Sequence, residues 1–166
     1  MNELPDRVMF DNDALNQLQR NDELRYLVSK STIESYTSAF QYNEFVLTVE
    51  DGDLPPDREE KILEAIDRVI DETDLETTGI ETSGYDEAYG YNYGGSTGDI
   101  YKQLTEDHPN IGKVHRPDAV GAEAAINRDM PFVTRDNSLQ DMMRYCGYED
   151  YLLPLDKFQD LIDRFS

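Results

Sequence analysis

The chain has 166 residues and carries 36 Asp and Glu against 15 Lys and Arg, for a net charge of −21. Its length suits one domain with one core. The single cysteine, Cys146, excludes an internal disulfide, and together with His108 and His115 it offers no zinc-ligand spacing. No apolar run reaches the length of a membrane span and no basic, then apolar, leader opens the chain, so a soluble cytoplasmic protein is expected.

In chain order, Arg7 to Asp11 is a short apolar run ending in an acid and reads as a buried strand. Asp13 to Arg20 reads as a helix with Leu15 and Leu18 on one face. Tyr26-Leu27-Val28 is expected to be a second strand. Ser29 and Ser31 would then cap a helix carrying Ile33, Tyr36 and Phe40. Asp51 to Asp57, with Gly52 and two prolines, is expected to be a loop. Arg58 to Glu72 has the clearest helical period, in Ile62, Leu63, Ile66, Val69 and Ile70.

A Tyr/Gly-rich stretch follows, at about 74–98. It is nearly without aliphatic residues and is expected to be a surface loop or insertion. Asp99 to Glu106 reads as a short helix. Pro117 opens another that runs to about Arg128, and its Gly121, Ala122, Ala124 and Ala125 keep it narrow enough for close packing on a sheet. Pro131 to Thr134 reads as a buried strand, Asn137 to Tyr145 as a helix, Tyr151 to Leu153 as a last strand, and Leu155 onward as a last helix. Strands alternating with helices imply an α/β fold, a three-layer α/β/α arrangement with a mostly parallel central sheet. Cys146 reads as a buried small residue.

In such a sheet, ligands bind beyond the carboxyl ends of the strands. Asp11 and Asp136 follow two predicted strands, and Glu34 and Asp118 lie near helix starts expected to face the same edge. Hard divalent cations take oxygen ligands, and clustered carboxylates repel one another unless neutralised, so Mg²⁺ or Mn²⁺ is the natural occupant of such a group.

The segment from Asp118 to Asp136 has an acid opening an Ala-rich helix, then a buried strand, then Thr134-Arg135-Asp136. It resembles the C-terminal signature of the PIN-domain ribonucleases. Phe10-Asp11-Asn12-Asp13-Ala14-Leu15 resembles the family's first motif, with Asp13 where Asn is usual. Val28 to Ser35 resembles the passage containing the second acid, here Glu34. The resemblance implies a VapC-like, single PIN-like domain over 1–166 that hydrolyses RNA phosphodiester bonds with Mg²⁺ or Mn²⁺. It implies Asp11, Asp118 and Asp136 as metal ligands, Glu34 as a further catalytic acid, and Asp13 and Thr134 in support. Lys113, His115, Arg116 and Arg135 stand beside these acids in sequence and are candidates for contact with RNA phosphate. Tyr85, Tyr89, Tyr91 and Tyr93 are candidates for stacking on bases. An antitoxin partner and a homodimer follow from the same resemblance. Two rivals stand beside it. Asp11-Asn12-Asp13 has the Asp-x-Asp form of haloacid-dehalogenase-like phosphatases, although Leu15 stands where that family has Thr or Ser. The other rival is a non-catalytic PIN-like module that binds RNA or protein.

The acids are spread along the chain, and five of the fifteen bases are Lys. A strongly acidic, Lys-poor surface suits a salt-filled cytoplasm, in which the Debye length falls to about 3 Å at 1 M. Taken with the resemblance, it points to a halophilic archaeal source. Folding stability should therefore rise as KCl increases from dilute buffer to molar levels. A melting temperature that stays flat or falls across that range would remove the halophilic reading.

Overall fold

The computed structural model describes residues 3–38, 41–42, 55–73, 75–78 and 98–165. Strands β1 (Arg7–Phe10), β2 (Glu34–Ser38), β3 (Glu76–Thr78), β4 (Phe132–Thr134) and β5 (Leu152–Pro154) form one parallel sheet in the order β3-β2-β1-β4-β5. The helices are α1 (Asn12–Arg20), α2 (Asp22–Lys30), α3 (Pro56–Thr73), α4 (Asp99–Thr105), α5 (Arg116–Asn127), α6 (Asn137–Tyr145) and α7 (Leu155–Arg164), with a 3₁₀ turn at Glu149–Tyr151.

Alternation along the strands divides the core in two. Val8, Phe10, Val133 and Leu153 face one cluster with Leu15, Leu18, Val28, Val69 and Phe158, from α1, α2, α3 and α7. Met9, Phe132 and Leu152 face the other with residues of α4, α5 and α6. The sheet therefore lies between two helical layers, as expected. Strands added leftward from β1 and strands added to its right need connections on opposite faces if both are right-handed, and this is how the two layers are divided.

Two expected elements are corrected. Tyr26-Leu27-Val28 belongs to α2, not to a strand. The N-cap Asn21 accepts the Leu24 N–H at 3.0 Å, and Leu24, Arg25 and Val28 form the buried stripe. The expected helix carrying Ile33 and Tyr36 gives way to β2, which starts just after Ile33 and is paired along β1 as Arg7 with Glu34, Val8 with Ser35 and Met9 with Tyr36. Ser31 does not start a helix. Its hydroxyl donates to the Val28 carbonyl at 2.7 Å and so closes α2. Phe40 lies outside the described residues, as do residues 79–97, including the four tyrosines at 85, 89, 91 and 93. The expected loop at about 74–98 overlaps β3, which pairs with β2. Cys146 caps the end of α6 and is half-buried.

Two polar devices fix the layers. Arg25, only 6% exposed, donates to Glu72 and Asp22 (2.7 Å each) and to the Leu18 and Gln19 carbonyls, which ties α2 to α3 and to the end of α1. Gly98 begins α4 with φ 77° and has no side chain to cap it. The buried Glu123 of α5 accepts the Tyr101 N–H at 2.8 Å in its place.

Gly121 sets the approach of α5 to the sheet. A Cβ there would stand 2.7 Å from Phe132 Cζ and 3.0 Å from Gln41 Nε2, and both residues are fully buried. Overpacking costs about 1–3 kcal/mol, against roughly 1 kcal/mol that alanine gains in helix propensity. Because both neighbours are held in the core, Gly121→Ala should lower unfolding free energy by about 1–2 kcal/mol net. Denaturant titration reads this directly; an unchanged or higher midpoint would show that Phe132 and Gln41 yield at no cost.

Candidate metal centre at the switch point of the sheet

The connections from β1 run to β2 and β3 on one side, while β4 and β5 lie on the other. The strand order reverses between β1 and β4, and the crevice beyond the carboxyl ends of such strands is where open α/β sheets bind ligands. Asp11 follows β1 and Asp136 follows β4 by two residues.

Both acids are N-caps. Asp11 Oδ1 accepts the Ala14 N–H at 2.7 Å and starts α1; Asp136 Oδ1 accepts the Leu139 N–H at 2.7 Å and starts α6. Each keeps its second oxygen for another partner. Thr134, fully buried, joins them: its hydroxyl bonds to the Asp11 carboxylate and accepts the Asp136 N–H at 3.1 Å. Asp118 enters from the first turn of α5, and Asp13 from the exposed first turn of α1.

Burial pushes Asp11, 1% exposed, up to a pKa of about 7. Hydrogen bonds from Thr134 and Ala14 oppose this, while repulsion by Asp118 and Asp13 adds to it. Burial likewise raises Asp118 to about 6, with further repulsion from Asp136 and Asp13 and an opposing pull from Gln41 and His115. These four aspartates thus share one electrostatic neighbourhood. Among the described residues, no three Asp, Glu, His or Cys side chains are placed, as they stand, to hold a metal ion together. The donors are nonetheless hard carboxylate oxygens, with two of the carboxylates, Asp11 and Asp118, held above the usual range by burial and by their acidic neighbours, and this donor chemistry suits a hard divalent cation.

Glu34 does not join them. It opens β2 opposite Arg7, at the amino end of the sheet, is exposed, and accepts the Tyr36 hydroxyl at 3.0 Å. The expectation that a helix would carry it to the catalytic edge fails because residues 34–38 are a strand in register with β1. Of the four bases, His115 precedes α5 and acts on Asp118, Lys113 and Arg116 are exposed nearby in the chain, and Arg135 is exposed between Thr134 and Asp136.

A residue that the motifs do not mark is Gln41. Fully buried, it accepts the Asn12 N–H at 3.1 Å, donates to the Pro117 carbonyl at 2.5 Å and hydrogen-bonds to Asp118. The Ser38 hydroxyl accepts its N–H at 3.0 Å. Gln41 thus holds the start of α1, the start of α5 and the Asp118 carboxylate in one frame.

No protein-family model and no curated protein matches this chain. Among solved structures, the fold is similar to that of PAE2754 from Pyrobaculum aerophilum, with a TM-score of 0.60 over 95% of this chain and 97% of the other. At 11% identity the likeness is one of fold alone. Among the described residues, no helix is long and apolar enough to cross a membrane.

The raised carboxylates fix a pH dependence. Between the unperturbed value of 3.8 and the folded values of about 7 and 6, the folded protein binds more protons than the unfolded chain. Stability from these groups is then fully present below about 4 and is lost as pH rises toward 7. With chelator present, the melting temperature should fall from pH 5 to pH 8. Asp11→Asn, which keeps the capping oxygen, should flatten that slope and melt above the unsubstituted protein at pH 8. Parallel slopes for the two proteins would contradict the burial of an ionisable Asp11.

Proposed function

We propose that this protein is a metal-dependent endoribonuclease of PIN-like type, with Asp11, Asp118 and Asp136 as ligands for Mg²⁺ or Mn²⁺ and Asp13 beside them. The observation that carries this reading is the group of mutually repelling, partly buried aspartates at the crevice where the strand order reverses. A divalent ion held by these residues would stabilise charge at the phosphate and make water easier to deprotonate to the attacking hydroxide.

The chain's own residues do the rest. Thr134 holds Asp11 and the backbone of Asp136 in fixed relation, and Gln41 orients Asp118. The amino ends of α1 and α6 lie at the same edge and favour an anionic group there. Lys113, Arg116 and Arg135 provide local positive charge, and His115 a further hydrogen-bonding group, on a chain whose net charge repels RNA. A cytoplasmic location, an antitoxin partner and self-association as a dimer belong to this reading through the family resemblance. A non-catalytic PIN-like module is the second reading; it is favoured by the open arrangement of the acids and the absence of Glu34 from their edge.

Cleavage of structured and single-stranded RNAs in molar KCl should need Mn²⁺ or Mg²⁺ and stop with EDTA. Asp11→Asn and Asp136→Asn should each lose more than about 100-fold, the upper end of what removing a merely supporting partner of a metal ligand costs. Arg116→Ala should act mainly on KM. Mn²⁺ should also raise the melting temperature by mass action, and Asp118→Asn with Asp136→Asn should cancel that rise. Robust cleavage by both single variants would sink the mechanism. Failure to cut any RNA, with no metal-dependent stabilisation, would select the non-catalytic module.

A further inference from the structure

A cavity of about 460 Å³ opens beside the aspartate cluster, lined by Thr134 and Arg135 at the end of β4 and by side chains from α1, α6 and α7. Its polar lining is dominated by neutral amides: Gln17, Asn137, Gln140 and Gln159. Leu155, buried, supplies an apolar surface. Arg135 and Asp156 are exposed at its rim.

Each of these features selects a ligand. Carboxamides present a donor and an acceptor together and so match the edges of nucleobases. Asp156 repels a phosphate from the cavity but accepts from an exocyclic amino group. The planar Arg135 guanidinium can cover a base face. Contacts between neutral groups release no counterions, so they keep their strength at salt concentrations that weaken phosphate contacts. On a chain of net charge −21 this is the form of recognition that survives. The cavity is also joined to the cluster: Gln140 Nε2 donates to the Thr134 carbonyl at 3.4 Å, and the Thr134 hydroxyl bonds to Asp11 and accepts from the Asp136 N–H.

We propose that this cavity is a nucleobase subsite, which takes one unstacked base next to the phosphate that a metal held by Asp11 and Asp136 would bind, and reads its edge through Gln17, Asn137, Gln140 and Gln159. Its placement relative to the phosphate rests on the nuclease reading of the cluster. Its ligand class rests on the cavity lining.

The test has two arms. In the first, the side-chain amide resonances of the full chain are followed by NMR in molar KCl with EDTA. The four ribonucleoside 5′-monophosphates are titrated in turn, with ribose 5-phosphate as the base-free probe. At least one nucleotide should shift the resonances of Gln17, Asn137, Gln140 and Gln159, ribose 5-phosphate should not, and Gln17→Leu with Gln159→Leu should abolish the shifts at Asn137 and Gln140. In the second arm, a random-sequence RNA pool is cut in Mn²⁺ by the unsubstituted protein and by Gln17→Ala and Gln159→Ala. The preference at one position beside the cut should flatten several-fold in the variants. Equal shifts with ribose 5-phosphate would reassign the cavity to phosphate and overturn the proposal. Cleavage with an unaltered preference in both variants, and no nucleotide response, would overturn it while leaving the nuclease reading intact. Nucleotide-specific shifts in a protein that cuts no RNA would uphold the subsite and remove the nuclease.

Discussion

A carboxylate buried at the end of the central strand is the constraint on which this edge of the molecule depends. β1 has a neighbour on each side and a helical layer on each face, so the residue that follows it cannot reach water, and Asp11 is 1% exposed. Removing a carboxylate from water is costly unless hydrogen bonds or opposite charge replace the hydration. The Ala14 N–H and the Thr134 hydroxyl meet part of that need, and α1 starts where it does because of the first of them. What remains appears as a pKa near 7. A protein tolerates such a group where function requires it, and stability is given up there.

The other aspartates are arranged around this one by longer-range contacts. Gln41 clamps the amino ends of α1 and α5 together, and Gly121 lets α5 lie against Phe132 and Gln41 at a distance that a side chain would forbid. The two requirements act on the same helix: close packing of α5 brings its first turn, with Asp118, toward Asp11. The opposite end of the sheet has a different character. There Glu34 stands opposite Arg7, and the Arg7 guanidinium donates to the Arg128 carbonyl at 2.7 Å. Glu34 and Arg7 each have a hydrogen-bonding partner there, whereas the aspartates at the carboxyl end repel one another.

The surface sets the terms on which a polyanion can approach. With 36 acids against 15 bases, long-range attraction for RNA is absent, so any recognition must come from local features. Helix amino ends, a few exposed bases and an amide-lined cavity are features of that kind, and all lie at the carboxyl edge of the sheet.

Much of this was legible in the residues themselves. The buried runs at 7–10 and 131–134, the periodic helices at 58–72 and 137–145, and the acids that follow the two central strands are local signals: hydrophobic period, capping side chains and strand ends act within a few residues. The α/β alternation and the placing of Asp11, Asp118 and Asp136 at one edge follow from them. The stretch from Tyr26 to Tyr36 departs from its expected elements because a short apolar triplet and a serine cap fit either element. Asn21 at the start of α2 and the pairing of residues 34–36 with β1 decided it, and strand pairing is a contact between segments far apart in the chain. That pairing also sent Glu34 to the wrong end of the sheet for a shared site. Gln41 carried no sequence signal, because its role depends on partners 29 and 76 residues away. The sequence by itself determined which groups are hard oxygen donors and which segments are helical or buried; the tertiary structure alone decided which donors meet, since burial and mutual repulsion exist only once the layers have closed around β1.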